Sequence, residues 1–271
     1  MKMIPLVKDI LNLLDEVAPF GLAEEWDNSG LQIGSPDQPV GKMLMALDPT
    51  LEVVREALSQ KAQLLLTHHP LIFKKISSIS LNLYPGQVIL EAIKGNLSII
   101  SAHTNLDQAE NGINRILARI FELQNIEILQ INNHPYHPQL GLGCIGDLPF
   151  SKPLGEMAAW VKDKIGAAHV SAVGRREKLI NRLAVVGGSG GSMVSQAFQK
   201  GADLLITGDI GHHDSLEALS LGLGLIDCGH FLTEWTALRI FKDFMQGKMF
   251  DRGWEIQIEF FEKEACPYWY A

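Results

Sequence analysis

QKAQLLLTHH (60–69) and QKGADLLITGD (199–209) read almost alike, each an apolar run that stops abruptly at polar residues. A second pair follows them, LSIISAHTNLD (97–107) and LGLIDCGHFLTE (223–234), and it aligns His103 with His230. The offsets are unequal, 139 residues from Gln60 to Gln199 and 127 from His103 to His230, so divergent duplication describes the relation better than a strict repeat. Short apolar runs separated by helix-length segments indicate βαβ units and parallel strands buried on both faces. The expected fold class is α/β: two related α/β lobes with mainly parallel central sheets flanked by helices.

The rest of the chain fits that plan. Leu6, Val7, Ile10, Leu11, Leu14, Val17 and Ala18 repeat at helical spacing, with Pro5 near the first turn. KMLMALD (42–48) reads as a short buried strand, and Thr50 suits the cap of a helix over Leu51–Ser59. Helices are expected at 86–94 and 111–122, with strand running into loop over 97–107. RLAVVGGSGGSMVSQAFQKGADLLITGD (182–209) runs strand, turn, helix, strand, and WEIQIEFFE (254–262) alternates as a sheet-edge strand. Pro and Gly cluster between Asn125 and Lys178, which marks a junction. The expected division is therefore 1–124 as lobe 1, carrying His68, His69 and Asp107, and 125–222 as lobe 2. Residues 223–271 form a C-terminal segment that returns His230 and Glu234 to lobe 1.

Composition narrows the function classes. No apolar run reaches the roughly 18 to 20 residues that span a bilayer, and Asp9, Asp15 and Glu16 interrupt any leader-like stretch. The three cysteines, Cys144, Cys228 and Cys266, are widely spaced and draw no disulfide framework, which fits a reducing, cytoplasmic setting. Cys228 reads as a small buried apolar residue rather than a nucleophile. A net charge of −8 disfavours nucleic acid. One local exception lies at 151–182, where seven basic residues face three acidic ones; a solvated helix face explains it better than an anion site.

Six of the nine histidines fall in three sets, each just beyond an apolar strand: His68 with His69, His212 with His213, and the duplicated partners His103 and His230. Ligand sites of open α/β sheets form beyond the carboxyl ends of the strands. At a strand end, where the chain bends, two adjacent imidazoles can turn toward one point. Acids accompany them: Asp107, Asp209, Asp214 and Glu234. His230 and Glu234 share a helical face if that segment is helical. Imidazole nitrogen with carboxylate oxygen suits borderline divalent cations. His68, His69, Asp107, His230 and Glu234 make five donors, more than one tetrahedral catalytic ion uses, and two acids among them suit a pair of bridged metals. His134, His137 and His169 read as ordinary hydrogen-bonding residues.

EEWDNSGLQIG, LLLTHHPLIF, SAHTNLDQAENGIN, AVVGGSGGS, TGDIGHHD and GHFLTE, in that order, resemble the NIF-three-like family, whose members are called GTP cyclohydrolase 1 type 2 homologs. The likeness covers nearly the whole chain. It implies two similar α/β lobes, a toroidal homohexamer built as a trimer of dimers, and a dinuclear metal centre with ligands at His68, His69, Asp107, His230 and Glu234. Two divalent ions per subunit are implied, with Zn, Mn, Fe and Ni undistinguished by these donors. The name further implies a metal-dependent hydrolase in which metal-activated water attacks GTP, another nucleotide, or a related cyclic-amide or phosphorylated compound. His103 has two readings, a catalytic proton carrier or a supporting residue. His213 and Asp209 match motif positions beside the cavity, and Asp27 and Asn28 line the site or build an Asx turn with Gly30.

Two other functions compete. GGSGG (187–191) fits a nucleophile elbow, which would make Ser189 the nucleophile of a serine esterase. That reading leaves His68, His69 and Asp107 idle, and a plain tight turn explains the motif as well. The other is a non-catalytic, metal-stabilised ring that binds a protein or nucleic acid partner.

Overall fold

The computed structural model describes residues 3–132 and 134–269. The elements in chain order are α1 (Val7–Val17), β1 (Gly30–Ile33), β2 (Lys42–Ala46), α2 (Leu51–Ser59), β3 (Leu64–Thr67), α3 (Gly86–Lys94), β4 (Ser98–Ser101), α4 (Thr104–Gln108) and α5 (Ile113–Ile120). They continue with β5 (Gln124–Ile131), β6 (Gly141–Pro153), α6 (Leu154–Ile165), β7 (Ser171–Val173), β8 (Leu179–Ser189), α7 (Val194–Gln199), β9 (Leu204–Gly208), α8 (His212–Leu221), β10 (Gly224–Asp227), α9 (His230–Asp251) and β11 (Gln257–Phe260). They fold as two compact units. The first holds the residues up to Leu106 together with Leu238–Glu264, and the second holds Asp107–Ala237 with the residues from Ala265 on.

The first unit is built on a five-stranded sheet in the order β1-β4-β3-β2-β11. β11, β2, β3 and β4 run parallel, and β1 closes the other edge antiparallel to β4. β3 and β4 are buried throughout, as central parallel strands must be. Thr50 caps α2, its hydroxyl accepting from Val53 N at 3.2 Å, as the spacing predicts. α2 and α3 bury Val53, Val54, Ala57, Val88, Ile89 and Ala92 against Leu44, Leu65 and Ile99 of the sheet. Each valine, leucine or isoleucine among them contributes about 1.5–3 kcal/mol when removed from water. The segment after β4 departs from the expected loop: α4 begins with Leu106 N donating to His103 O, which sets Asp107 on a helical turn.

The second unit carries a six-stranded sheet in the order β5-β6-β8-β9-β10-β7. Only β8-β9-β10 pair in parallel; β5-β6, β6-β8 and β10-β7 are antiparallel. The expectation of a mainly parallel sheet therefore holds for the first unit and not for the second. The cause lies in the stretch 125–178, where the short connection between β5 and β6 forms a hairpin. A parallel pair needs a crossover of a dozen residues or more. Leu129, Ile145, Ala184, Leu205 and Leu225 from the sheet form the core with Val194, Ala197 and Ala218 of α7 and α8. No helix among the described residues is long and apolar enough to cross a membrane.

Candidate metal-binding groups of the two units

In the first unit, β3 and β4 end side by side, with Thr67 in register with Ser101. The residues just beyond them, His68, His69 and His103, bring one ring nitrogen each to within 4.8 Å of one another. The ring centroids of His68 and His69 lie 5.2 Å apart, so the chain bend does turn adjacent imidazoles toward one place. Each ring is oriented through Nδ1, at 2.8 Å from an oxygen: Ala102 O for His68, Asp48 Oδ1 for His69 and Asp27 Oδ1 for His103. A backbone carbonyl can only accept, so Nδ1 of His68 carries the proton and Nε2 of the neutral ring carries the lone pair. This is the arrangement that metal-ligating histidines adopt.

The orienting acids are themselves held. Asp27, its side chain fully buried, accepts from Asn28 N, Thr104 N and Thr104 Oγ1 as well as from His103. Burial alone would raise its pKa; the hydrogen bonds from His103, Thr104 and Asn28 outweigh burial and hold the carboxyl well below the usual range. Asp48 follows β2, the lateral neighbour of β3, which places it beside His69. The Glu264 carboxylate accepts from Leu47 N and Asp48 N, both at 2.8 Å, and so fixes the turn that carries Asp48. Burial pushes Glu264 up to about 7 against those two bonds.

In the second unit, His230 and Glu234 open α9 and stand on one face, with His230 Nε2 3.0 Å from Glu234 Oε2. His230 Nδ1 lies 2.8 Å from Asp209 Oδ2, just beyond β9. Asp107 and Glu234, both buried, each offer a carboxylate oxygen within 4.8 Å of the other. The GGSGG turn makes room for Glu234 and His230. Gly188 has φ +66°, and a Cβ there would come within 2.1 Å of Glu234 Oε1 and 3.3 Å of His230 Nε2. The β8–β9 register shifts between Val185 and Ser189. The glycine N–H groups find side chains instead: Gly187 N donates to Asn114 Oδ1 at 2.8 Å and Gly188 N to Thr233 Oγ1 at 3.0 Å. Asn114 Nδ2 in turn donates to the backbone carbonyl of Asp107 at 2.9 Å.

These bonds bear on the competing readings. The His230 ring nitrogens face Asp209 and Glu234, an arrangement that gives no support to a relay through Ser189. Cys228 is buried, and burial pushes its thiol up to about 12, so it behaves as a small apolar residue. Within the basic stretch, Arg182 bridges Glu127 and Asp147, Lys164 pairs with Glu122, and Lys178 donates to the carbonyls of Asp203 and Gly222. His212 and His213 begin α8 as exposed residues whose rings meet edge to face, and His134 stacks on His137 in the β5–β6 connection. Asp48, Asn114, Thr233 and Glu264 went unnoticed in the sequence. LDPT just beyond a strand was the available signal for the first of them.

Mixed imidazole and carboxylate donors beyond strand ends, with each ring oriented through Nδ1 by an oxygen, give this two-sheet α/β protein groups of residues that could hold a metal ion. The chain belongs to the Duf34/NIF3 (NGG1p interacting factor 3) family, whose model matches residues 5–267. It is 32% identical over 262 residues to a Clostridium acetobutylicum protein named GTP cyclohydrolase 1 type 2 homolog, covering 97% of each chain. The fold matches that of a Staphylococcus aureus hypothetical protein with a TM-score of 0.92 and 33% identity, over 98% of this chain and 99% of the other. A Bacillus cereus protein related to NIF3 matches over the full length of both chains, with a TM-score of 0.91 and 27% identity.

Proposed function

We propose that this chain is a metal-dependent hydrolase holding two divalent ions through His68, His69, Asp107, His230 and Glu234. The observation that carries the reading is the common orientation of the imidazoles. Nδ1 of His68, His69 and His230 is tied to oxygen at 2.8 Å, which fixes the plane of each ring and turns Nε2 toward the proposed ions. In His230 that Nε2 already stands 3.0 Å from Oε2 of Glu234, a second proposed ligand. The donor set suits Zn, Mn, Fe or Ni. When bound, such ions lower the pKa of water toward neutrality and polarise the bond under attack.

The chain's own residues supply the rest. Asp48 and Asp209 keep His69 and His230 in register with their ions, and Gly188 leaves Glu234 the space to reach them. His103, backed by Asp27, sits among the ligating histidines of its unit and moves protons to and from the substrate. The substrate class taken from the relatives' name is a nucleotide such as GTP, or a related cyclic amide. Self-association into a hexameric ring belongs to the same reading.

Elemental analysis of purified protein tests it. About two ions per chain are expected in the wild type, with marked loss in His68→Ala and Glu234→Gln and parallel loss of metal-dependent GTP hydrolysis. Full metal content in both variants would sink the proposal. Metal loss that dissolves the assembly, in protein that hydrolyses no nucleotide, would turn the reading to a structural ring.

A further inference from the structure

Two large aromatic side chains stand in water beside the histidine group of the first unit. Trp26 is 59% exposed and Phe73 47%. Isolated exposed apolar residues are ordinary; the fixing of these two is not. Trp26 precedes Asp27, whose buried carboxylate accepts from His103, Thr104 and Asn28. Phe73 follows Ile72, whose carbonyl accepts from Asn28 Nδ2 at 2.6 Å and whose N–H donates to Gln32 Oε1 at 3.2 Å. One short network, Asp27-Asn28-Gln32-Ile72, thus stitches together the two segments that carry the rings. The ring centroids lie 5.7 Å apart at 67°, forming a corner with one face and one edge. Both rings also meet His103 edge-on, Trp26 at 6.0 Å and Phe73 at 6.2 Å.

A rigid, half-wet aromatic corner next to metal-binding imidazoles is suited to a flat ligand. One face can stack and the other ring can meet its edge. We propose that Trp26 and Phe73 form the platform for the heteroaromatic ring of the substrate and position it beside His103 and the His68–His69 pair. This assignment rests on the hydrolase reading above and adds to it the residues that select a planar ring.

The test is calorimetric titration of the purified, metal-analysed protein with guanosine monophosphate and with ribose 5-phosphate, which lacks the base. Guanosine monophosphate should bind the wild type. Trp26→Ala and Phe73→Ala should each weaken it about tenfold or more, the usual loss when a stacking aromatic is truncated. Trp26→Phe should retain most of the affinity. Ribose 5-phosphate should bind all of them equally weakly, and metal content and assembled mass should not change. The proposal is overturned if the wild type prefers ribose 5-phosphate or ignores the nucleotide, or if both alanine variants bind it like the wild type. It is overturned too if the variants change assembled mass, which would make the corner a subunit contact. Protein without metal whose nucleotide affinity still depends on Trp26 would remove the metal reading and leave the platform standing.

Discussion

The two units share one four-stranded plan and use it differently. β1-β4-β3-β2 in the first and β7-β10-β9-β8 in the second have the same order, with three parallel strands and an antiparallel edge. The fifth position separates them: β11 joins β2 in parallel, whereas β6 joins β8 antiparallel. Their chemistry diverges at the strand ends. Thr67 and Thr207 hold equivalent places; after Thr67, which ends β3, the first unit has His68 and His69, whereas after Thr207 the second has Gly208, the last residue of β9, and then Asp209. The histidine after the next strand survives in both, as His103 and His230. An acid orients each of these histidines, but from different places: Asp27 ahead of β1 serves His103, and Asp209 after β9 serves His230. The two units thus share an oriented imidazole at this place and differ in where its acidic partner comes from.

The strongest break of the comparison is at position 208. A Cβ on Gly208 would lie 2.4 Å from His230 N and 2.5 Å from Gly229 C, both backbone atoms that cannot swing aside. The first unit tolerates a full imidazole at the equivalent His68. Gly208→Ala should cost about 3 kcal/mol or more, as overpacking against backbone does. His68→Ala should cost about 1–2 kcal/mol, for a lost buried hydrogen bond. Denaturant midpoints of the two variants decide it; equal midpoints would mean that the second unit excludes histidine for some other reason.

Gly188 is the next test. Its φ of +66° disfavours any side chain by about 1 kcal/mol, and the added methyl would displace the Glu234 carboxylate. Gly188→Ala should lose about 1–2 kcal/mol of stability and most of the metal, whereas Ser189→Ala should lose neither. Metal titration of the pair separates a glycine cradle from a nucleophile elbow.

What the sequence disclosed follows the same divide between local and lateral information. The apolar run ending at His68 and His69, the cap at Thr50 and the i to i+4 spacing of His230 and Glu234 are properties of single segments, and all three are visible in the structure. Asp48 gains its role only because β2 lies beside β3, and Asp27 only because β1 pairs with β4. Strand order is not written in any one segment. Nothing within α5 marks Asn114, which is buried and joins Asp107 to Gly187. The β5–β6 hairpin was hidden by the Pro and Gly of its surroundings. The rule that duplicated segments fold alike held for four strands and misled for the second sheet as a whole.

A finer contrast concerns the orienting acids. If the proposed ligand set is right, Asp48→Asn and Asp209→Asn should each weaken metal binding about 10- to 100-fold, because each acid orients an imidazole of that set. Asp27→Asn should leave metal affinity nearly unchanged and alter acid stability instead. The folded-state pKa of Asp27 lies below its unfolded value, near 4. Its contribution is therefore present above about pH 4 and lost as pH falls through the folded value. Unfolding followed between pH 5 and 2 should be less steep in Asp27→Asn; an unchanged acid limb would remove Asp27 from its assigned place.

Glu264 should respond in the opposite sense and more weakly. Burial raises its folded pKa to about 7, above the ordinary carboxyl value of 4.5. The folded state then binds more protons than the unfolded chain across that interval, so this group's contribution falls as pH rises from 4.5 to 7 and is level above it. Two backbone donors, Leu47 N and Asp48 N, favour the ionised form and keep the loss small. Glu264→Gln removes the titration while retaining one carbonyl acceptor. Its stability relative to the wild type should rise between pH 5 and 8, opposite in slope to the Asp27 effect at lower pH. Parallel pH profiles for the two proteins would show that Glu264 titrates normally and that burial is not what governs it.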